Sequence, residues 1–192
     1  MDGGNGGERP LLIPFIPVGI AINLLGTVVN AAVDSPLFLD SIGTVLAAAV
    51  LGPWLGAATG LLSNLIIGVF ADPVSIPFGL VNALIGLVVG ALSRRRGFTD
   101  LLTPLYATLI LTVLCPLIAT PIAVYLFGGV TGGNIDAFFA ILVESGHQVL
   151  SSAFLVRLPA NFIDKFISAY LVCLLIRRLP RPWRGLATVA DR

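Results

Sequence analysis

The stretch "LPANFIDKFISAYLVCLLIRRLP", residues 158–180, is a long apolar run that opens with Asn161, Asp164 and Lys165 and closes on Arg177 and Arg178. A helix of about 20 apolar residues covers a hydrocarbon core roughly 30 Å thick, and this run meets that length. The rest of the chain agrees with it. Of 192 residues 57% are hydrophobic and 11% are charged, where a soluble domain carries roughly 25% charged residues. The mean hydropathy of +1.01 points the same way. The chain is therefore read as an all-α integral membrane protein.

A net charge of +1 gives no footing for nucleic acid, because the basic residues cluster at the ends of apolar runs instead of along one face. Cys115 and Cys173 each sit inside an apolar run and suggest neither a disulfide framework nor a metal site.

Six spans emerge when the chain is divided at its breakers. They cover 11–33, a shorter 38–52, 54–71, 76–93, 103–127 and 160–178. Gly52 and Pro53 separate the second from the third, "ADPVSIP" (71–77) turns the chain again, Arg94 to Arg96 close the fourth, and "GGVTGGN" (128–134) follows the fifth. Residues 135–157 are apolar but carry Glu144, His147 and Gln148 midway. They read as a helix or helical hairpin at the outer surface, with a seventh span as the rival. The membrane domain is thus expected over 11–180, with cytoplasmic tails at 1–10 and 181–192.

Charge favours six spans. With a cytoplasmic N-terminus, nine of the eleven basic residues, Arg9, Arg94, Arg95, Arg96, Arg177, Arg178, Arg181, Arg184 and Arg192, fall inside, as the positive-inside rule asks. Asp34, Asp40, Asp72, Asp136, Glu144 and Asp164 then fall in the outer half, against Arg157 and Lys165. The start, with Asp2 and Glu8 beside Arg9 and a long apolar stretch, reads as a retained span and not as a secretory signal.

Asn161, Asp164, Lys165 and Ser168 fall within about 100° of one another on a helical wheel, so they form one polar stripe. Facing lipid, such a stripe would cost several kcal/mol, which turns it toward protein or a wet cavity. In the structural reading Lys165 snorkels, Asp164 pairs with Arg157 or a loop donor, and Asn161 caps the helix after Pro159. In the site reading the stripe binds a ligand. Asn30, Asp34, Asp40, Ser41, Thr44, Asn64 and Asn82 lie at the same outer level, while the inner half is nearly all Leu, Val, Ala and Gly. That asymmetry argues against an ion pore, which needs polar groups at every depth, and favours a pocket opening outward. Glu144 and Gln148, four apart with His147 beside them, are candidate ligand contacts or the wet side of an outer helix.

Gly52, Gly56, Gly60, Asn64 and Gly68 recur every four residues, as do Asn82, Gly86 and Gly90. Ridges of this kind bring helices together or offer a smooth face to a partner. Catalytic readings are weak: His147 is the one histidine, and Ser145, two residues away, does not face it on a helix.

The six short spans, the block "PLFLDSIGTVLAAAVLGPWLGAATGLLSNLI" (36–66) and "LPANFIDKFISAYLV" (158–172) resemble an S component of an energy-coupling factor (ECF) transporter. The resemblance covers about 11–180. It implies a membrane subunit that captures a water-soluble vitamin or precursor from outside, in a pocket built by the outer ends of the later spans and the loops. It implies partners too: a transmembrane coupling subunit and two ATPases. Because Lys165 is the chain's one lysine and no G-x-x-x-x-G-K-[ST] exists, ATP would be used by those partners and no cofactor is expected in this chain. The alanines four apart that the family carries in its first span are replaced here by Gly19 with Asn23, and Ala21 with Leu25.

The expected ligand contacts are Asn161, Asp164, Lys165, Glu144, His147 and Gln148, with Asp40 and Asn82 behind them. Gly19, Gly52, Gly56 and Gly60 are expected at the coupling face. The acidic outer half favours a neutral or cationic ligand, such as a thiamine-like or pyrimidine-like compound, over an organic anion. A vitamin sensor and a solitary secondary carrier remain the alternatives, although no inverted repeat is visible.

Overall fold

The computed structural model describes residues 15–178, and every regular element among them is helical. The expected tails at 1–10 and 181–192 lie outside the described residues. Helix α1 spans Phe15–Ala32, α2 Ile42–Leu51, α3 Pro53–Phe70, α4 Ser75–Arg96, α5 Leu102–Phe127, α6 Ile135–Glu144 and α7 Val149–Arg178. Five of these, α1, α3, α4, α5 and α7, are long and apolar enough to cross a membrane.

The second expected span becomes a ten-residue helix, α2, about 15 Å long at 1.5 Å per residue. It is apolar all round, and every residue except Ile42 is buried, as the absence of a polar face requires. Gly52, at φ 92, ends it, and Pro53 opens α3 at once, where a missing N–H costs nothing. The upstream loop 33–41 holds two non-glycine residues at positive φ, Asp34 and Leu39.

The last helix differs more. Residues 149–157, expected to belong to the outer segment, continue without a break into α7, a 30-residue helix that passes through Pro159. Asn161 is therefore no cap: it lies well inside the helix, buried, and its Nδ2 donates to the Arg157 carbonyl at 2.9 Å. Only α6 and the turn at 145–148 remain of the separate outer segment.

Charge divides the molecule's ends. One end holds Arg94, Arg95, Arg96 and the 97–101 turn, to which α7 is tied by Arg177 Nε on the Thr99 carbonyl at 2.7 Å and Tyr170 Oη on the Leu101 carbonyl at 3.0 Å. The other end gathers loops 33–41 and 128–134, linked by Asn134 Nδ2 to the Ser35 carbonyl at 3.4 Å.

The glycine ridges are consumed within the chain. Gly19, Gly52, Gly56 and Gly60 are all buried. A Cβ at Gly19 would press on the Gly43 carbonyl and Thr59, one at Gly52 on the Arg94 guanidinium, one at Gly56 would overlap Ala48, and one at Gly60 would press on the Asn82 backbone. These four positions hold α1, α2, α3 and α4 together, so the expected coupling face does not lie on them. Gly86 is as tight, since a Cβ there would overlap the backbone of Gly56 and Ala57. Gly86→Ala is expected to lower stability by about 1–3 kcal/mol through overpacking, read as a lower unfolding temperature of the purified protein in detergent.

Candidate functional site: an outer-end cavity

A cavity of about 560 Å³ opens at the acidic end, between α1, α3, α4, α7 and the loops 33–41 and 128–134. That volume falls within the roughly 300–1,000 Å³ of small-molecule sites. Its wall mixes apolar side chains such as Phe38, Phe78 and Ile135 with a few convergent polar groups. A second groove of about 480 Å³, between α6 and α7, is lined by apolar side chains throughout and offers nothing to orient a water-soluble ligand.

The polar wall is assembled from three directions. From α7 come Asn161, Lys165 and Arg157, all buried at 2–3% exposure. Lys165 Nζ donates to Ser41 Oγ at 2.9 Å and is paired with Asp164. Asp164 is fully buried behind the cavity wall, and its Oδ1 accepts the Leu39 N–H at 2.8 Å. The pair thus fastens α7 to loop 33–41. Of the two partners the structural reading offered Asp164, the loop donor is the one found, in the Leu39 N–H; the adjacent lysine takes the place of Arg157, and Lys165 does not snorkel.

From α4, Asn82 Nδ2 donates to the Asp40 carbonyl at 3.0 Å and to Asn64 Oδ1 at 2.8 Å; Asn64 Nδ2 in turn donates to the Ser75 carbonyl at 3.1 Å. Asn82 Oδ1 is buried with no protein partner, as is Asn30 Oδ1 on α1, and both residues line the cavity. They are two of six buried side-chain polar atoms without a partner among the described residues, and the two that belong to the cavity lining. From the third side, Asp136 accepts the backbone N–H groups of Thr131 and Gly132, each at 2.7 Å, and shapes the glycine-rich loop over the mouth.

Asn161, Lys165, Asp40 and Asn82 are therefore brought together on the cavity wall, with Asp164 just behind it. Glu144, His147 and Gln148 are not. All three are exposed, at the end of α6 and in the turn beyond it, outside the cavity lining. Of the helix and the helical hairpin that the sequence allowed here, the turn at Gly146, φ 90, fits the hairpin and breaks the shared helical face. The residue that sequence reasoning passed over is Arg157. The available signal was its place four residues before Asn161, which sets both on one helical face.

A family model for the S component of ECF-type riboflavin transporters matches residues 12–181. The chain belongs to this family. It is accordingly the substrate-binding subunit of an ECF-type transporter, a multi-pass membrane protein and not an enzyme. Comparison with curated proteins and with solved structures gave no match. For an S component, the cavity at the acidic end is the place to seek substrate binding.

Proposed function

We infer that this S component captures riboflavin, or a close flavin, in the outer-end cavity and delivers it inward with a transmembrane coupling subunit and two ATPases. The observation that carries this reading is the family match, supported by a cavity whose lining sets apolar side chains that suit a planar ring system beside the amides of Asn82 and Asn30. A flavin offers both halves of the match. Its fused rings bury against Phe38, Phe78 and Ile135, while its ring N–H and the hydroxyls of its ribityl arm donate to amide and carboxylate oxygens. Riboflavin is uncharged at neutral pH, which suits an acidic end where Asp34, Asp40 and Asp72 share the lining.

Loop 33–41 is the natural closing element. It forms one side of the cavity, and its backbone is held at Leu39 by Asp164. The acidic end faces outward and the arginine end, with Arg94 to Arg96 and Arg177, faces the cytoplasm, as the positive-inside rule directs. Since the glycine ridges are buried, the coupling subunit meets other surfaces; α1 is the least covered of the long helices and exposes Val18, Leu25 and Val28.

Titration of the purified protein with riboflavin, followed by quenching of flavin fluorescence, tests the reading. Saturable one-to-one binding with a Kd in the nanomolar range, on the order of −12 kcal/mol, is expected. Asn82→Leu, which removes the unpaired acceptor while keeping similar volume, is expected to weaken it at least about tenfold, or 1.4 kcal/mol. Fluorescence that stays unquenched at micromolar protein would remove flavin as the substrate.

A further inference from the structure

The cavity wall carries two cations whose surroundings differ. Lys165 is paired with Asp164 and bonded to Ser41. Arg157 is 2% exposed, yet the hydrogen bond it makes is to its own helix, Nη1 to the Ala153 carbonyl at 3.0 Å. No carboxylate among the described residues lies within ion-pair distance of it. A guanidinium presents five N–H donors in a planar fork, so most of this fork lacks an acceptor among the described residues while the side chain lines the cavity.

The acidic residues nearby do not complete it. Asp136 acts on Arg157 only through space, and its oxygens already accept from Thr131 N, Gly132 N and Thr131 Oγ1. Asp34, Asp40 and Asp72 belong to the same cavity, but none is paired with the guanidinium. A buried, incompletely bonded charge is costly to maintain, and the cost falls when a ligand supplies an oxyanion in the geometry that guanidinium forks favour.

We propose that Arg157 forms an oxyanion subsite within the ligand cavity, one that recognises a phosphate monoester carried by the ligand. The inference rests on the flavin reading and deepens it. Riboflavin brings only hydroxyls on its arm, whereas its 5′-phosphate places a doubly charged group at the end of the same flexible chain, which the lining carboxylates of Asp34, Asp40 and Asp72 oppose and the Arg157 fork offsets. The cavity then accepts both forms, and Arg157 sets the preference between them.

The test compares riboflavin with riboflavin 5′-phosphate on the full chain in detergent, in wild type, Arg157→Gln and Arg157→Lys, each with and without inorganic phosphate. Arg157→Gln is expected to weaken the phosphate ester at least about tenfold and riboflavin less than about threefold. Arg157→Lys, which keeps the charge but not the fork, is expected to fall between and to serve if the glutamine variant does not fold. Inorganic phosphate that strengthens riboflavin binding in wild type but not in Arg157→Gln would place a free anion in the same subsite, the ester's phosphate being its ligand-borne counterpart. Equal losses for both flavins, or a wild type that binds riboflavin and refuses the ester with no effect of phosphate, would overturn the subsite. A wild type blind to both flavins would instead overturn the flavin reading, and the subsite with it.

Discussion

Lys165→Met is expected to cost about 3–5 kcal/mol of stability, because it strands the fully buried Asp164 carboxylate without its counter-charge. The lysine and aspartate are adjacent in sequence, both buried, and together they hold Ser41 and Leu39 of loop 33–41. Losing the ammonium leaves Asp164 with the Leu39 N–H as its bond, and it also removes a donor from the cavity wall. Two readouts therefore move together: the unfolding temperature in detergent falls, and riboflavin affinity drops at least about tenfold. The double variant Asp164→Asn/Lys165→Met separates causes. With both charges gone no buried ion is stranded, so its stability is expected to exceed that of Lys165→Met. Its binding defect remains, since the cavity still lacks the lysine. A double variant less stable than either single would show that the pair's attraction, and not the stranding of one charge, governs the site. The complete burial of Asp164 is what makes stability, and not affinity alone, respond to these changes.

The second large effect is expected at Asn23, which has no contact with the cavity. Its amide is fully buried and makes four hydrogen bonds: Nδ2 donates to Thr44 Oγ1 at 2.8 Å and Ser63 Oγ at 2.9 Å, and Oδ1 accepts Gly43 N at 2.7 Å and Thr44 N at 3.3 Å. Gly43 and Thr44 are the second and third residues of α2, so their N–H groups have no acceptor within that helix. Ser41 precedes α2 but makes no side-chain cap. Asn23 of α1 is thus the cap, supplied from another helix. Asn23→Ala leaves these donors unsatisfied in a dry interior, at about 1–3 kcal/mol per group, and an overall loss of roughly 3 kcal/mol or more is expected. Hydrogen exchange sharpens the check: the Gly43 and Thr44 amides should lose protection before those in the middle of α4. If Asn23→Ala instead unfolds at the wild-type temperature with unchanged exchange at α2, the capping account fails.

The membrane class and the all-helical fold were legible because they rest on composition and periodicity, which lipid solvation constrains strongly. Asn161, Lys165, Asp40 and Asn82 were legible as a group for the same reason: polar residues at one depth need a shared place to go. Other features were hidden by tertiary context. Asn23 read as a flaw in a small-residue repeat, since nothing local reveals that a side chain will cap a helix twenty residues on. Pro159 read as a helix start, although a proline in a membrane helix is tolerated where neighbouring groups compensate, and here α7 runs through it. Glu144, His147 and Gln148 looked like a helical face until Gly146 turned the chain. The glycine ridges favoured packing over partner contact in the sequence, and the positions of their neighbours' backbones agree with packing.

The central claim, that this S component takes a flavin into its outer-end cavity, is tested most directly by native mass spectrometry of the protein purified gently from cells grown in rich medium. The account predicts a one-to-one complex whose added mass is that of riboflavin or its phosphate, and whose bound fraction falls in Asn82→Leu. An added mass belonging to a different vitamin, or a protein that stays empty after incubation with riboflavin, would contradict it.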